Sequence, residues 1–290
     1  MIWKFKHREI LSDRTHLMGV INLTPDSFSD GGKYRTPEDA VLEAIGMVHQ
    51  GAELLDLGAE STRPGARSVS AEEELKRLVP VLERLRHNVS VPIAVDTTKA
   101  EVARIALELG ADVINDVSGL KDSGPEMARL AREFRAGLVV MHRRGNPQTM
   151  QTLTQYDDVV ADVIEELGAS VDIALREGVE REQIVIDPGL GFAKTADQNL
   201  EILKRIHEFE VLGFPLLLGP SRKSFIGYVT GREVGEREFG TAGVVAFCAM
   251  KRIPILRVHS VGAMRDVLCI IQAIKGDAYV GAFEVGKHQA

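Results

Sequence analysis

Short apolar runs recur along the chain at 17–22, 54–57, 93–96, 113–115, 138–141, 184–187, 216–218 and 255–258, and between them apolar residues return every three or four positions. Uninterrupted apolar runs of this length suit strands buried on both faces, as in a parallel sheet, and the longer period predicts helices. The helix ends are readable. Thr36-Pro37-Glu38-Asp39 supplies a cap, a first-turn proline and early acids; Ser70-Ala71-Glu72-Glu73 reads as a capping box; and Thr195-Ala196-Asp197-Gln198 repeats that logic. Gly51, Gly110, Gly178 and Gly276 fall where left-handed C-terminal caps are expected. Further helical patterns span 157–177 and 241–250. Eight strand–helix units without a linker or composition break predict an α/β fold: one domain over 1–290, a single (β/α)8 TIM barrel preceded by a short N-terminal strand or hairpin. An open doubly wound sheet is the alternative, but no GxGxxG follows the first strand.

In a barrel of parallel strands the chemistry lies at their C-terminal ends. Those ends carry Asn22, Asp56 then Glu60, Asp96, Asn115 with Asp116, Met141 with His142, Asp187, then Ser221-Arg222-Lys223, and Arg257 with His259. Any one Asp or Asn after a strand can cap a helix or form an Asx-turn. Eight ends converging on one rim are hard to explain by capping. Asp96, Asn115 and Asp187 can accept and donate along the edge of a flat heterocycle, with Lys223 for a carbonyl oxygen or ring nitrogen. Met141 and Phe192 suit its faces. Ser221, Arg222, Lys223, Arg257 and His259 come from the last two strands, a frequent phosphate sector. The rim therefore reads as a site for a planar heterocycle plus an anion. Two long loops, 24–32 with Phe28, Ser29 and Asp30, and GAESTRPGARSVS at 58–70 with Thr62, Arg63, Pro64 and Gly65, are candidate lids.

Composition narrows the ligand class. Lys plus Arg number 35 against 42 Asp plus Glu, a net charge of −7, so there is no electrostatic footprint for nucleic acid or an anionic membrane. No run approaches membrane-spanning length and no signal peptide is expected. Cys248 and Cys269 have no paired spacing, which argues against disulfides and zinc and predicts a cytoplasmic protein.

In order and spacing, MGVINLTPDSFSDGG, LDLGAESTRPGA, VDTTKAEVA, GADVINDVSGL, VVMH, IDPGLGFAKT, LLLGPSRKSFIG and LRVHSV resemble the signature segments of bacterial dihydropteroate synthases. The resemblance implies a transferase of folate biosynthesis, joining 6-hydroxymethyl-7,8-dihydropterin diphosphate to p-aminobenzoate with release of diphosphate, and a sulfonamide target. It implies pterin binding by Asp96, Asn115, Asp187 and Lys223 beside Met141 and Phe192. Asn22, Arg257 and His259 then belong to the diphosphate region, with Asn22 towards Mg²⁺. Phe28, Ser29, Asp30, Thr62, Arg63, Pro64 and Gly65 belong to mobile loops, and Gly219, Lys223 and Ser224 to the p-aminobenzoate side. Asp30, Arg63, Asp96, Lys223 and Arg257 are the implied catalytic set, Mg²⁺ the cofactor and a homodimer the assembly. Ser260 stands where aspartate is common, which removes a carboxylate from beside His259. A pterin- or folate-dependent methyltransferase barrel and a non-catalytic pterin-binding homologue are the alternatives.

Overall fold

The computed structural model describes residues 1–24 and 36–276. Strands β1 (Ile2–Phe5) and β2 (Arg8–Leu11) form an antiparallel hairpin. Eight parallel strands follow: β3 (His16–Asn22), β4 (Leu54–Gly58), β5 (Ile93–Asp96), β6 (Val113–Asp116), β7 (Gly137–Met141), β8 (Ile184–Asp187), β9 (Leu217–Leu218) and β10 (Ile255–Val258). They are ordered β8-β7-β6-β5-β4-β3-β10-β9, and a parallel bridge from Ile186 to Leu216 closes the ring. The helices are α1 (Pro37–His49), α2 (Ala71–Leu85), α3 (Ala100–Glu108), α4 (Pro125–Glu133), α5 (Val159–Arg176), α6 (Ala196–Lys204), α7 (Ser224–Thr230), α8 (Glu238–Met250) and α9 (Val261–Lys275). The expected (β/α)8 barrel with its hairpin is the observed fold, with two helices rather than one after β9. The strand expected at 216–218 is two residues long, because Leu216 only bridges to β8.

Caps follow the sequence with one difference. Thr36 and Thr195 form full capping boxes, whereas Ser70 only accepts the Glu73 N–H. Gly51, Gly110, Gly178 and Gly276 all have positive φ.

Strand residues alternate between the barrel interior and the helices. Leu17, Leu55, Leu57, Val95, Ile114, Leu138, Ile184 and Leu256 pack outward in the large core under the helices. Met18, Leu54, Ala94, Val113, Val139, Val185, Leu217 and Ile255 instead share a cluster with Trp3 and Phe5 of the hairpin. The hairpin thus plugs the N-terminal end of the barrel. Trp3 is fully buried and donates its indole N–H to the Gln183 carbonyl at 2.8 Å. Two residues further along each strand, on the same inner face, come Val20, Asp56, Asp96, Asn115, Met141, Asp187, Gly219 and Arg257. An apolar floor gives way to a polar rim.

Gly137 lies against this plug, and a Cβ there would stand 2.8 Å from Trp3 Cζ2 and 3.1 Å from Phe5 Cδ1. Gly137→Ala is expected to destabilise the protein by about 1–3 kcal/mol through overpacking, read as a lower urea midpoint at unchanged slope.

Candidate functional site

At the heart of the rim one guanidinium meets two carboxylates. Arg257 at the end of β10 donates from Nε to Asp56 Oδ2 at 2.5 Å and from Nη2 to Asp96 Oδ2 at 3.1 Å. Asn115 donates from Nδ2 to the same Asp56 oxygen at 3.0 Å. Asp56 is fully buried, so β4, β5, β6 and β10 are joined by a polar knot inside the barrel. Desolvation, and then the neighbouring Asp56, push the Asp96 carboxyl up to about 8 against the pull of Arg257.

On the opposite side, Asp187 ends β8 and its Oδ1 accepts the Gly189 N–H at 2.7 Å. Burial raises it to about 6, while the Gly189 hydrogen bond and the field of Lys223 oppose the shift. Lys223 precedes α7; its Nζ lies 4.2 Å from the centroid of the Phe192 ring, and desolvation, then Arg257, push it down to about 8. Phe192, Met141, Val117, Met150 and Ala193 form an apolar cluster on this side. The mouth thus brings Asp96 and Asn115 on one side together with Asp187, Lys223 and an apolar cluster on the other.

Ser221, Arg222 and His259 also come together. His259 Nδ1 lies 2.9 Å from Ser221 Oγ. Burial lowers its pKa to about 3, helped by the fields of Arg257, Arg222, Lys223 and Arg63, so its imidazole is neutral at physiological pH. No carboxylate in the position of Ser260 offsets those cations; Ser260 Oγ instead accepts from Arg222 Nη2 at 3.3 Å. Asn22 ends β3, and its Oδ1 and Asp96 Oδ2 both flank Gly58. Gly219 lies beside Arg257, and Ser224 is exposed at the start of α7.

The second loop is anchored at its base. Glu60 accepts from Lys99 Nζ at 2.5 Å and from the Val69 N–H at 2.9 Å, and Lys99 also donates to the buried Glu74 at 2.8 Å. Thr62 is half-buried and Arg63, Pro64 and Gly65 are exposed, with the Gly65 N–H donated to the Pro147 carbonyl at 2.8 Å. Phe28, Ser29 and Asp30, like most of the first loop, lie outside the described residues.

Some rim residues prove to be scaffolding. Asp116 accepts from the Ser118 and Leu120 N–H groups and from the Ser118 and Ser123 hydroxyls, which is turn formation. Glu60 is the loop anchor. His142 is buried and bonded to Lys194, a residue not singled out by sequence although it lies within IDPGLGFAKT. Gly58 and Gly191 were likewise missed: the first leaves space beside Asn22 and Asp96, and a Cβ on the second would stand 3.0 Å from the Lys223 stem.

The chain is similar to known proteins in sequence and fold. A family model described as pterin binding enzyme matches residues 18–259. The dihydropteroate synthase of Synechocystis sp. is 47% identical over 262 residues, 90% of this chain and 90% of that one. The crystal structure of the Yersinia pestis dihydropteroate synthase with a sulfonamide drug complex has a TM-score of 0.90 at 35% identity, covering 95% of this chain and 100% of that one. The Xanthomonas albilineans dihydropteroate synthase in complex with 7,8-dihydropteroate has a TM-score of 0.84 at 37% identity, covering 96% and 100%.

The surroundings of His259 set a measurable expectation. Its imidazole resonances should titrate near pH 3, far below the usual value of about 6.5. A midpoint near the ordinary value in an NMR titration, with His259 assigned through a His259→Asn protein, would contradict the cation-lined geometry.

Proposed function

Because the chain belongs to the pterin-binding enzyme family, among its dihydropteroate synthases, we propose that its rim condenses 6-hydroxymethyl-7,8-dihydropterin diphosphate with p-aminobenzoate, giving 7,8-dihydropteroate and diphosphate. The observation that carries this reading is the convergence, inside one barrel mouth, of the Asp96, Asn115, Asp187 and Lys223 edge with the cations around His259.

In this reading Asp96, Asn115 and Asp187 bind the N–H edge of the pterin, Lys223 its carbonyl oxygen or a ring nitrogen, and Phe192 with Met141 its face. Arg257, Arg63 and neutral His259 hold the diphosphate, with Asn22 beside it. The bond between the pterin methylene and the diphosphate oxygen breaks with its electron pair on the oxygen, and the cation left behind is delocalised into the ring. Preorganised donors stabilise the growing negative charge, and the Asp96 and Asp187 carboxyls lie on the side of the positive one; a catalytic part for Asp30, with Phe28 and Ser29, rests on the family resemblance alone. The amine nitrogen of p-aminobenzoate, held beside Gly219 and Ser224 with Thr62, Pro64 and Gly65 of the second loop, attacks the methylene carbon and loses a proton to the departing diphosphate or solvent. Among the described residues no three His, Cys, Asp or Glu side chains form a metal cluster. A single amide oxygen at Asn22 together with phosphate oxygens and water is a hard-oxygen set of the kind Mg²⁺ accepts. When bound there, Mg²⁺ supplies charge neutralisation at the departing diphosphate.

We further propose a homodimer through α7, α8 and α9. Helix α8 buries Thr241, Val245 and Cys248 against the barrel, yet its other side is also apolar: Phe239 is 93% exposed, and Phe247 and Met250 lie on the surface beside Ile270 and Ile274 of α9. A helix that is apolar all round is normally covered. No described helix is long and apolar enough to cross a membrane. A cytoplasmic setting fits the free Cys248 and Cys269.

The deciding experiment is diphosphate release by the purified protein with Mg²⁺ and the dihydropterin diphosphate. Release that depends on p-aminobenzoate and is matched by dihydropteroate is expected; pterin binding without release would overturn the reading. Asp187→Ala should weaken dihydropterin diphosphate binding by about 10- to 100-fold, since a hydrogen bond to a charged group is lost. The sign of the pH effect follows from the raised Asp187 pKa: only the carboxylate accepts the pterin N–H groups, so calorimetric affinity should fall as pH drops through about 6. Asp187→Ala should lack that step. For the assembly, Phe239→Glu should convert a dimer to a monomer in sedimentation velocity; a monomeric parent protein at micromolar concentration would refute the interface.

A further inference from the structure

Behind the pterin slot lies a second buried polar assembly that the proposed chemistry does not use. Lys194 follows the turn after β8 and is 3% exposed. Its Nζ lies 2.9 Å from His142 Nδ1, 3.1 Å from the Gly189 carbonyl and 3.0 Å from the Phe192 carbonyl. Burial lowers the Lys194 pKa to about 7, but three acceptors around one nitrogen are met in full only by the ammonium with its three N–H groups. Because His142 accepts at Nδ1, its ring proton lies on Nε2, which faces Glu166 Oε2 at 3.2 Å. Glu166, on α5, also accepts from Lys121 at 2.9 Å and from Arg144 Nε at 2.7 Å. A buried ammonium, a neutral imidazole and a carboxylate thus run in line from β8 to α5.

The two carbonyls held by Lys194 bracket the turn that shapes the pterin slot. Gly189 donates its N–H to Asp187 Oδ1 at 2.7 Å, and Phe192 offers its ring to Lys223. The turn is cramped: Gly189 has φ +72, a Cβ there would come within 2.1 Å of the His142 carbonyl, and Ala193 also has positive φ. A conformation of this kind persists only where its surroundings over-determine it. Without the lysine, the Phe192 carbonyl and one imidazole nitrogen lose their donor and the Gly189 carbonyl keeps only the Phe192 N–H at 3.1 Å, so the turn that carries the Gly189 N–H and the Phe192 ring is held less firmly.

We propose that Lys194 is a positioning residue for the pterin half of the site, acting by clamping the 189–192 turn, and that His142 couples the clamp to Glu166. The inference rests on the pterin reading of the rim. It concerns neither the p-aminobenzoate side nor the diphosphate cations, none of which Lys194 bonds.

The test separates the two substrates. Lys194→Met keeps the length of the side chain and removes its donors; affinity for the dihydropterin diphosphate, read by calorimetry, should fall about 10-fold or more. The KM for p-aminobenzoate at saturating pterin should change by less than about twofold. Two His142 variants report on the coupling. His142→Asn places an amide oxygen near the former Nδ1 and keeps a third acceptor for Lys194, whereas His142→Gln reaches towards Glu166 and leaves one Lys194 N–H without its acceptor. Pterin affinity should therefore be higher in His142→Asn than in His142→Gln. An unchanged pterin affinity in a folded Lys194→Met protein overturns the proposal, as does a parallel rise of both KM values or the reverse order of the His142 pair. If Lys194→Met fails to fold, the His142 order decides. Failure of the parent protein to turn over would count against the synthase reading, while the calorimetric comparison would still judge the clamp.

Discussion

The Arg257 guanidinium held between Asp56 and Asp96 is the interaction on which the rest of the site depends. Two carboxylates projecting into the same low-dielectric barrel repel one another, and even beside Arg257 the Asp96 carboxyl is pushed up to about 8. Arg257 offsets part of that cost, and Asn115 adds a second donor to the same Asp56 oxygen. Such a knot is weak evidence for stability, since desolvating ions offsets much of their attraction, and breaking it by removing one partner typically costs about 3–5 kcal/mol. What it supplies is position: β4, β5, β6 and β10 hold their inward-facing groups against one another at the mouth of the barrel.

Around this knot, support comes from ion pairs under the loops rather than from their tips. Lys99 between Glu60 and Glu74 fixes the base of the second loop, and the Gly65 amide leans on the Pro147 carbonyl of the loop after β7. That same β7 loop begins at His142, which meets Lys194 beneath the pterin slot. The side chains expected to touch substrate are therefore backed by buried charged groups on neighbouring strands and helices, a supporting layer of the kind that orients a precise site. At the other end of the barrel the Trp3 and Phe5 plug provides an apolar floor, so the polar interior is confined to one mouth.

Much of the barrel, and the polar groups that gather at its mouth, was legible in the residues alone, for a physical reason. Strand periodicity is local, and in a parallel barrel the residue that ends a strand lies at the mouth whatever the details of packing. Asp96, Asn115, Asp187 and Arg257 were found that way, and the order and spacing of the motifs identified their chemistry. Capping was legible at Thr36 and Thr195 for the same local reason, while Ser70 formed only half its box.

Position along the strand could not separate ligand-facing groups from supports. Asp116 ends β6 one residue after Asn115, and the alternation of the pleat turns it into a turn-forming acceptor. Lys194 and His142 are 52 residues apart, and Arg257 and Asp56 are 201 apart, so neither pair leaves a pattern in a local window. The charge of His259 depended on cations from the second loop, the segment before α7 and β10 meeting around one ring. The sequence by itself determined the elements, their order and the chemical types at the mouth, because these follow from neighbours along the chain. Tertiary structure alone decided which of those groups face the slot, which are consumed as scaffolding and which carry charge, because hydrogen-bond partners and desolvation are set by residues distant in sequence and adjacent only in space.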